Sequence, residues 1–333
     1  MKAAFIKKYG SDEKMHLGDF QKPTPKEYEV LIQVKAASVN PIDFKIKAGM
    51  LKFVRKYSFP LILGHDLSGE VVEVGSRVTK FKKGDLVFSR PGNSGIGAFA
   101  EYIAVSEDEV ALKPTNLSFE EAASLPLVAL TTWQAFDAAN VKKGDKILIQ
   151  AGAGGVGTFA IQLAKVRGAE VWTTTSEKNE ALVKSLGADH VVNYRKEHPW
   201  EVLNNMNFVF DTLGGDDLFK IFNVVKPGGW VVSISGLPDG ETAKEMDLGL
   251  FKTFVLKLVG FKANLSAALK KNHYKFLFMK PNGAQLTEIK NLVEQGKIRP
   301  VIDSVFPLSD VQKALEHSES GRARGKIVVK ITD

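Results

Sequence analysis

Three short stretches hold the residue types that do chemistry. GHDLSG, residues 64–69, sets His65 beside Asp66 among glycines, an imidazole and a carboxylate of the kind metal sites recruit. NPIDFK, residues 40–45, offers an amide at Asn40, a carboxylate at Asp43 and an ammonium at Lys45. AGAGGVG, residues 151–157, brings Gly152, Gly154 and Gly157 together at G-x-G-x-x-G spacing, the turn that lets a backbone approach a pyrophosphate. A catalytic zinc needs about three protein ligands, and the chain has no cysteine, so only His, Asp and Glu remain as donors. Two readings of the first stretch follow. His65, Asp66 and Asp43 form a substitute metal site, or His65 is a hydrogen-bonded histidine and Asp66 a carboxylate bonded to backbone or to a basic neighbour. The second is adopted: no metal is expected.

These residues need elements to position them. The first third consists of short runs such as KAAFIKKY, EVLIQVKAAS, GEVVEV and AEYIAV between Gly, Pro, Asp and Asn, which predicts an antiparallel β domain. At residues 117–136 the period becomes helical, with Ser118 as N-cap and Glu121 completing a capping box. Beyond it, apolar runs alternate with amphipathic helices: KILIQ, then EVWTTT, HVVNY, NFVFDTL and WVVSIS. That alternation predicts a parallel sheet covered on both faces, a doubly wound nucleotide-binding fold. The last segment, from about residue 296, returns to mixed strand and helix. A chain of 333 residues favours two domains.

The glycine turn follows a strand and opens a helix, as dinucleotide binding requires. Gly152 is read as the tight turn, Gly154 as the point of backbone approach and Gly157 as the closure of helix on strand. The N–H groups of Gly155, Val156 and Gly157 at the helix start meet the phosphate charge. The cofactor type is decided after the second strand. Thr174 and Ser176 end that strand and Lys178 follows, hydroxyls and a cation suited to the 2′-phosphate of NADPH. Glu177 supports the opposite reading: turned inward, it accepts from the ribose of NAD, and Lys178 is then merely solvated. Tyr194 lies over the same phosphate, or packs.

With these landmarks assembled, the chain resembles the medium-chain dehydrogenase/reductase superfamily nearly end to end. The resemblance rests on SVNPIDFKIKAG, GHDLSGEVVEVG, SLPLVALTTWQAF, AGAGGVG, SLGADHVVNY, FDTLGG, NGAQL and SGRARGKIVV. It implies an α/β architecture: a GroES-like β domain, residues 1–122 with 299–333, and a Rossmann doubly wound parallel-sheet domain, residues 123–298, with the active site in the cleft between them. Zinc alcohol dehydrogenases of this superfamily place a cysteine where Asn40 stands and a metal histidine where His65 stands. Their cysteine-rich structural lobe is replaced by the short GNSGIGAFAEYI. The pattern therefore is similar to the zinc-independent quinone oxidoreductase and enone (alkenal) reductase branch. The same resemblance assigns cofactor contacts to Thr131, to the backbone of Leu213 and Gly214 and of Ser235 and Gly236, to Phe278 and Met279, and to the basic tail residues Arg324 and Lys326.

Hydride delivered to a simple carbonyl leaves a localised alkoxide that a metal or a strong proton donor must stabilise. Delivered to a quinone or a conjugated double bond, it leaves a delocalised anion that ordinary donors stabilise. In that scheme Asn40 donates its amide, Lys45 polarises the oxygen or relays a proton, and Asp43 orients them; alternatively Lys45 is a surface lysine like Lys47. The expectation is an NADPH-dependent reductase of quinones or α,β-unsaturated carbonyls. An enoyl-thioester reductase of the same branch is the runner-up, and a non-catalytic NADPH-binding or RNA-binding relative the third reading. The net charge of +7 comes from 45 scattered basic residues, not from a stripe, which argues against nucleic acid. No window reads as a signal or a membrane span, so a cytoplasmic protein without a membrane partner is expected. The resemblance implies a homodimer, with HYKFLFM, residues 273–279, as an edge strand.

Overall fold

The turn residues of the first third cut the chain into strands too short to stand alone, and pairing supplies what length does not. The computed structural model describes residues 1–92 and 95–332. The strands are β1 Lys2–Ile6, β2 His16–Asp19, β3 Glu29–Val39, β4 Leu61–Ile62, β5 Asp66–Val74, β6 Leu86–Ser89, β7 Tyr102–Ser106 and β8 Val110–Leu112. They continue as β9 Lys146–Ile149, β10 Glu170–Thr175, β11 His190–Asn193, β12 Met206–Asp211, β13 Val225–Ser233, β14 His273–Phe276, β15 Ile302–Pro307 and β16 Lys326–Lys330.

Two units result, one made of residues 1–130 and those from 280 onward, the other of residues 131–279. In the first, the order β15-β16-β3-β5-β6-β8 forms a sheet that β7 joins through β3, and β2-β1-β4 form a smaller one. The pairings of residues 1–130 are antiparallel, as expected, and β15 with β16 adds a parallel pair from the far end of the chain. β3 is the spine. Its apolar residues Ile32 and Val34 join Leu67, Val71, Val87, Ile327 and Val329 in one buried cluster. Its register sets Ser38 opposite Asp66 and Val39 opposite Ile327, so Asn40, Asp66 and Lys326 meet at one end of three strands.

The second unit holds a six-stranded sheet in the order β11-β10-β9-β12-β13-β14, every pairing parallel. This is the order of a doubly wound dinucleotide-binding sheet, with its switch point between β9 and β12. All six strands therefore point their C-terminal ends to one side. Of HYKFLFM, the first four residues, His273–Phe276, form the edge strand β14, with β13 its neighbour.

The observed seams fall at 130/131 and 279/280, not at the expected 122/123 and 298/299. The helical stretch expected over 117–136 forms two helices, Phe119–Ala123, with the predicted Ser118–Glu121 capping box, and Pro126–Ala138. At the other seam the helix Gly283–Glu294 belongs to the β unit because its residues are bonded there. The Thr115 N–H and hydroxyl donate to Glu294 at 2.9 and 3.0 Å, the Asn116 amide donates to the Val293 carbonyl at 3.1 Å, and a Cβ on Gly283 would sit 2.4 Å from the Val110 oxygen. Lys290, the Thr115 N–H and the Thr115 hydroxyl hold the Glu294 carboxyl down at about 2, against an ordinary 4.5. A depressed carboxylate stabilises the fold above its unfolded value and loses that contribution as pH falls through its folded one. Glu294→Gln is therefore expected to cost about 1 kcal/mol near neutral pH, the group being partly solvated. Urea melts should show the gap to wild type closing between pH 4.5 and about 2.

Candidate functional site

In the parallel unit the turn after β9 is built by contacts that glycine alone permits. The left-handed residue is Ala151, at φ 50°, so the tight turn does not fall on Gly152 as expected. Gly152 is needed for another reason: a Cβ there would lie 2.0 Å from the Thr173 hydroxyl. A Cβ on Gly157, expected to close helix on strand, would strike the Ala151 oxygen at 2.4 Å and the Gly152 Cα at 2.6 Å, so glycine lets the helix start close on the turn. Gly154, N-cap of the helix Gly155–Val166, is different. The Ala151 oxygen, at 3.3 Å, is the one atom its Cβ would approach, so the space above it is open. The N–H groups of Gly155, Val156 and Gly157 open the helix, where no intrahelical acceptor exists. An open cradle rimmed by free donors fits a pyrophosphate. Gly154→Val is expected to weaken NADPH binding about 100-fold, roughly 3 kcal/mol, while thermal unfolding loses about 1 kcal/mol or less. Calorimetric titration with a parallel melt checks both.

The other expected cofactor residues of this unit stand along the same strand ends. Thr174 is buried, but its hydroxyl accepts from the Ala151 N–H at 2.9 Å, so it secures the glycine turn in place of the expected phosphate contact. Ser176 is buried and its hydroxyl makes no hydrogen bond among the described residues, while Lys178 is exposed in the 3₁₀ turn Glu177–Asn179. Glu177 is held by Lys196 at 2.9 Å, and that bond lowers its carboxyl below the ordinary value. Tyr194 is exposed at the end of β11, its N–H on the Thr175 carbonyl at 3.3 Å.

After β12, Leu213 is exposed, and Gly214, at φ 67°, packs so closely on the loop after β13 that a Cβ would meet the Ser235 oxygen at 2.0 Å. A Cβ on Gly236 would lie 2.7 Å from both the Ser233 and the Tyr274 hydroxyls. A residue the sequence reading passed over, Asp211, sets this corner. It accepts from the N–H groups of Leu213 and Gly214 at 3.2 and 2.9 Å and from the Ser233 hydroxyl, and burial raises its pKa. Phe278 and the buried Met279 follow β14, and the buried Thr131 lies in the helix Pro126–Ala138.

In the β unit, Asn40 ends β3 and caps the helix Pro41–Lys47. Its N–H donates to Asp43 at 2.8 Å, completing the cap. Its side-chain amide was expected to face a substrate, but it is buried and fully bonded. It donates to Asp66 at 2.8 Å and to the Ser38 carbonyl at 3.3 Å, and its oxygen accepts from Lys326 at 2.5 Å. Lys326 was expected at the cofactor. Instead its ammonium is enclosed by Asn40, the Val39 carbonyl at 3.1 Å and Asp66 at 3.2 Å. Asp66 also accepts from Ser38 at 2.8 Å and from the Leu127 N–H at 2.7 Å, one of the donors freed where the second helix starts at Pro126. Arg324 is exposed, and its backbone N–H bonds Asp303 at 2.7 Å.

Asp43, expected to orient Asn40 and Lys45, accepts from the Gly64 N–H at 3.3 Å and pairs with His65 Nδ1 at 2.6 Å, both side chains buried. The two lysines of KIK divide. Lys47 is structural, donating to the Ser11 and Glu13 carbonyls at 3.0 and 2.7 Å. Lys45 is half-buried, has no acceptor for its ammonium among the described residues, and burial lowers its pKa. Tyr57 and Phe59 pack on the β unit, the latter edge-on to Tyr9 at 4.7 Å. Arg90, at the end of β6, escaped the sequence reading: it is buried, its Nε has no partner among the described residues, and desolvation lowers its pKa against the pull of Asp66 and Glu109.

His65 pairs with Asp43 through Nδ1, and both Asp66 oxygens carry hydrogen bonds. No three His, Cys, Asp or Glu side chains converge among the described residues. In the expected structural-lobe replacement GNSGIGAFAEYI, Asn93 and Ser94 lie outside those residues.

A doubly wound sheet with an open glycine cradle, preceded by a β unit that the chain's last strand completes, defines a nicotinamide-dependent oxidoreductase. The alcohol dehydrogenase GroES-like domain family matches residues 26–115, and the family described as zinc-binding dehydrogenase matches residues 186–329. The 2-methylene-furan-3-one reductase of Solanum lycopersicum is 37% identical over 99% of this chain and 79% of its own length. The NADPH-dependent alkenal/one oxidoreductase, chloroplastic, of Arabidopsis thaliana is 35% identical over the same shares. The quinone oxidoreductase from Coxiella burnetii superposes with a TM-score of 0.87 at 35% identity, covering 100% of this chain and 99% of that one. The chain belongs to the medium-chain dehydrogenase/reductase superfamily, in its quinone and alkenal oxidoreductase branch.

Proposed function

We propose that this chain is an NADPH-dependent, zinc-independent reductase of quinones or of the conjugated double bond of α,β-unsaturated carbonyls. The observation that carries the reading is the closed network of Lys326, Asn40, Asp66 and Ser38. It fills the corner where a metal ligand would stand with groups already bonded to one another. Without a Lewis acid, the substrate best served is one whose carbonyl oxygen gains charge through conjugation, because a single hydrogen-bonding cation then suffices. Lys45 is that cation: half-buried and without an acceptor among the described residues, with its pKa lowered by burial, it donates its proton to the developing oxyanion. Asp43 fixes the start of the helix that carries it. The bound reduced nicotinamide supplies the hydride.

For the cofactor, Glu177 is turned to Lys196, and the Ser176 hydroxyl and the Lys178 ammonium remain for a 2′-phosphate. The relative named as NADPH-dependent supports the same choice. The test is oxidation of NADPH and of NADH against a panel of quinones, short enals, enones, enoyl thioesters and simple aldehydes, with and without chelator. Turnover of quinones or enals with NADPH, indifferent to chelator, is expected. Loss of activity on chelation, or preferred turnover of simple aldehydes, refutes the reaction, and a preference for NADH refutes the cofactor.

A further inference from the structure

The helix Gly249–Leu269 is fixed to the parallel sheet by its small side. Ala263 and Ala267 join the cluster that contains Tyr274, a Cβ on Gly260 would strike Asp239 at 2.4 Å, and the Asn264 amide donates to Asp239 at 3.2 Å. Its opposite side is apolar and uncovered. Phe251, Phe254, Leu258, Phe261, Leu265 and Leu269 recur at spacings of three and four, so they form one stripe. Phe251 and Leu269 are 74% and 75% exposed. With 21 residues the helix is about 30 Å long. A continuous exposed apolar face of this length marks an interaction surface.

The charges say what covers it. Between residues 249 and 271 there are Lys252, Lys257, Lys262, Lys270 and Lys271 and no Asp or Glu. At 100° per residue, Lys257 and Lys262 fall on the two flanks of the stripe, and Lys262 already lies 4.1 Å over the Phe219 ring. A second copy packed on this face would bring lysines to lysines with no carboxylate on the helix to meet them. An anionic lipid surface meets both flanks with phosphate while the stripe enters the acyl boundary.

We infer that this helix lies in the plane of an anionic bilayer and makes the enzyme a peripheral membrane protein. No helix among the described residues is long and apolar enough to cross a membrane, and a helix lying in the interface needs no such span. The expectation of no membrane partner is thereby replaced. The inference is independent of the substrate, since its readout is binding.

Full-length protein is sedimented with vesicles of equal parts phosphatidylcholine and phosphatidylglycerol, and with phosphatidylcholine alone. Binding to the anionic vesicles is expected, with release at high salt. Phe254→Ser with Phe261→Ser should weaken it about 100-fold, and Lys257→Gln with Lys262→Gln about 30-fold, each pair melting like wild type. Failure to bind anionic vesicles, or equal binding to both kinds, overturns the inference. So does self-association that the Phe pair abolishes while no vesicle is bound, which would make the stripe a dimer face.

Discussion

Lys326→Met is expected to lower the free energy of unfolding by about 3–5 kcal/mol, the largest stability effect of any single change considered for this chain. The ammonium it removes is enclosed by Asp66, Asn40 and the Val39 carbonyl. Methionine keeps most of the volume, so the loss is electrostatic. Asp66 retains the Ser38 hydroxyl, the Asn40 amide and the Leu127 N–H, yet a fully buried carboxylate loses its nearest cation. Equilibrium urea unfolding of the single and double variants decides. If the cost is an uncompensated charge, Asp66→Asn in the Lys326→Met background should recover part of it, and the double variant should fall well short of the sum of the singles. Simple additivity would mean that the two groups do not act as a pair.

Lys45→Met is expected to reduce kcat by about 10²–10³-fold on an enal or quinone while the affinity for NADPH stays unchanged. The sign of the pH dependence follows from the environment. Burial holds the Lys45 pKa below its ordinary 10.5, and the donor form is the protonated one. Activity should therefore be full at neutral pH and fall on the alkaline side, at a lower pH than a solvated lysine would give. The variant should lack that alkaline limb, and arginine at this position should restore part of the rate without it. A kcat within about threefold of wild type would remove Lys45 from the chemistry.

The β unit and the parallel sheet were legible because turn residues and the switch from period two to period 3.6 are local properties of the chain. The glycine cradle was legible for the same reason, although the physical roles were partly exchanged: Ala151 takes the left-handed turn, and Gly152 makes room for Thr173. What stayed hidden depends on partners distant in sequence. Asn40 reads as a free amide until Lys326, 286 residues away, is seen to fill its oxygen. Thr174 reads as a phosphate ligand until the Ala151 N–H is seen to hold its hydroxyl. Arg90 has no motif around it, and the seam at residue 280 follows from bonds that Thr115 and Asn116 make to a helix almost 180 residues on. The lysines of KIK are alike in sequence, and the fold alone separates the structural Lys47 from Lys45.

The closing strand also sets a timetable. Residues 131–279 are continuous in the chain, whereas the β unit is split around them and lacks β15 and β16 until the end. As a ribosome extends the polypeptide, the dinucleotide sheet has every strand it needs while Asn40 and Asp66 still wait for their cation. The later-made half of the molecule is thus the first to be completed, and the earlier-made half stays unfinished until Lys326 emerges.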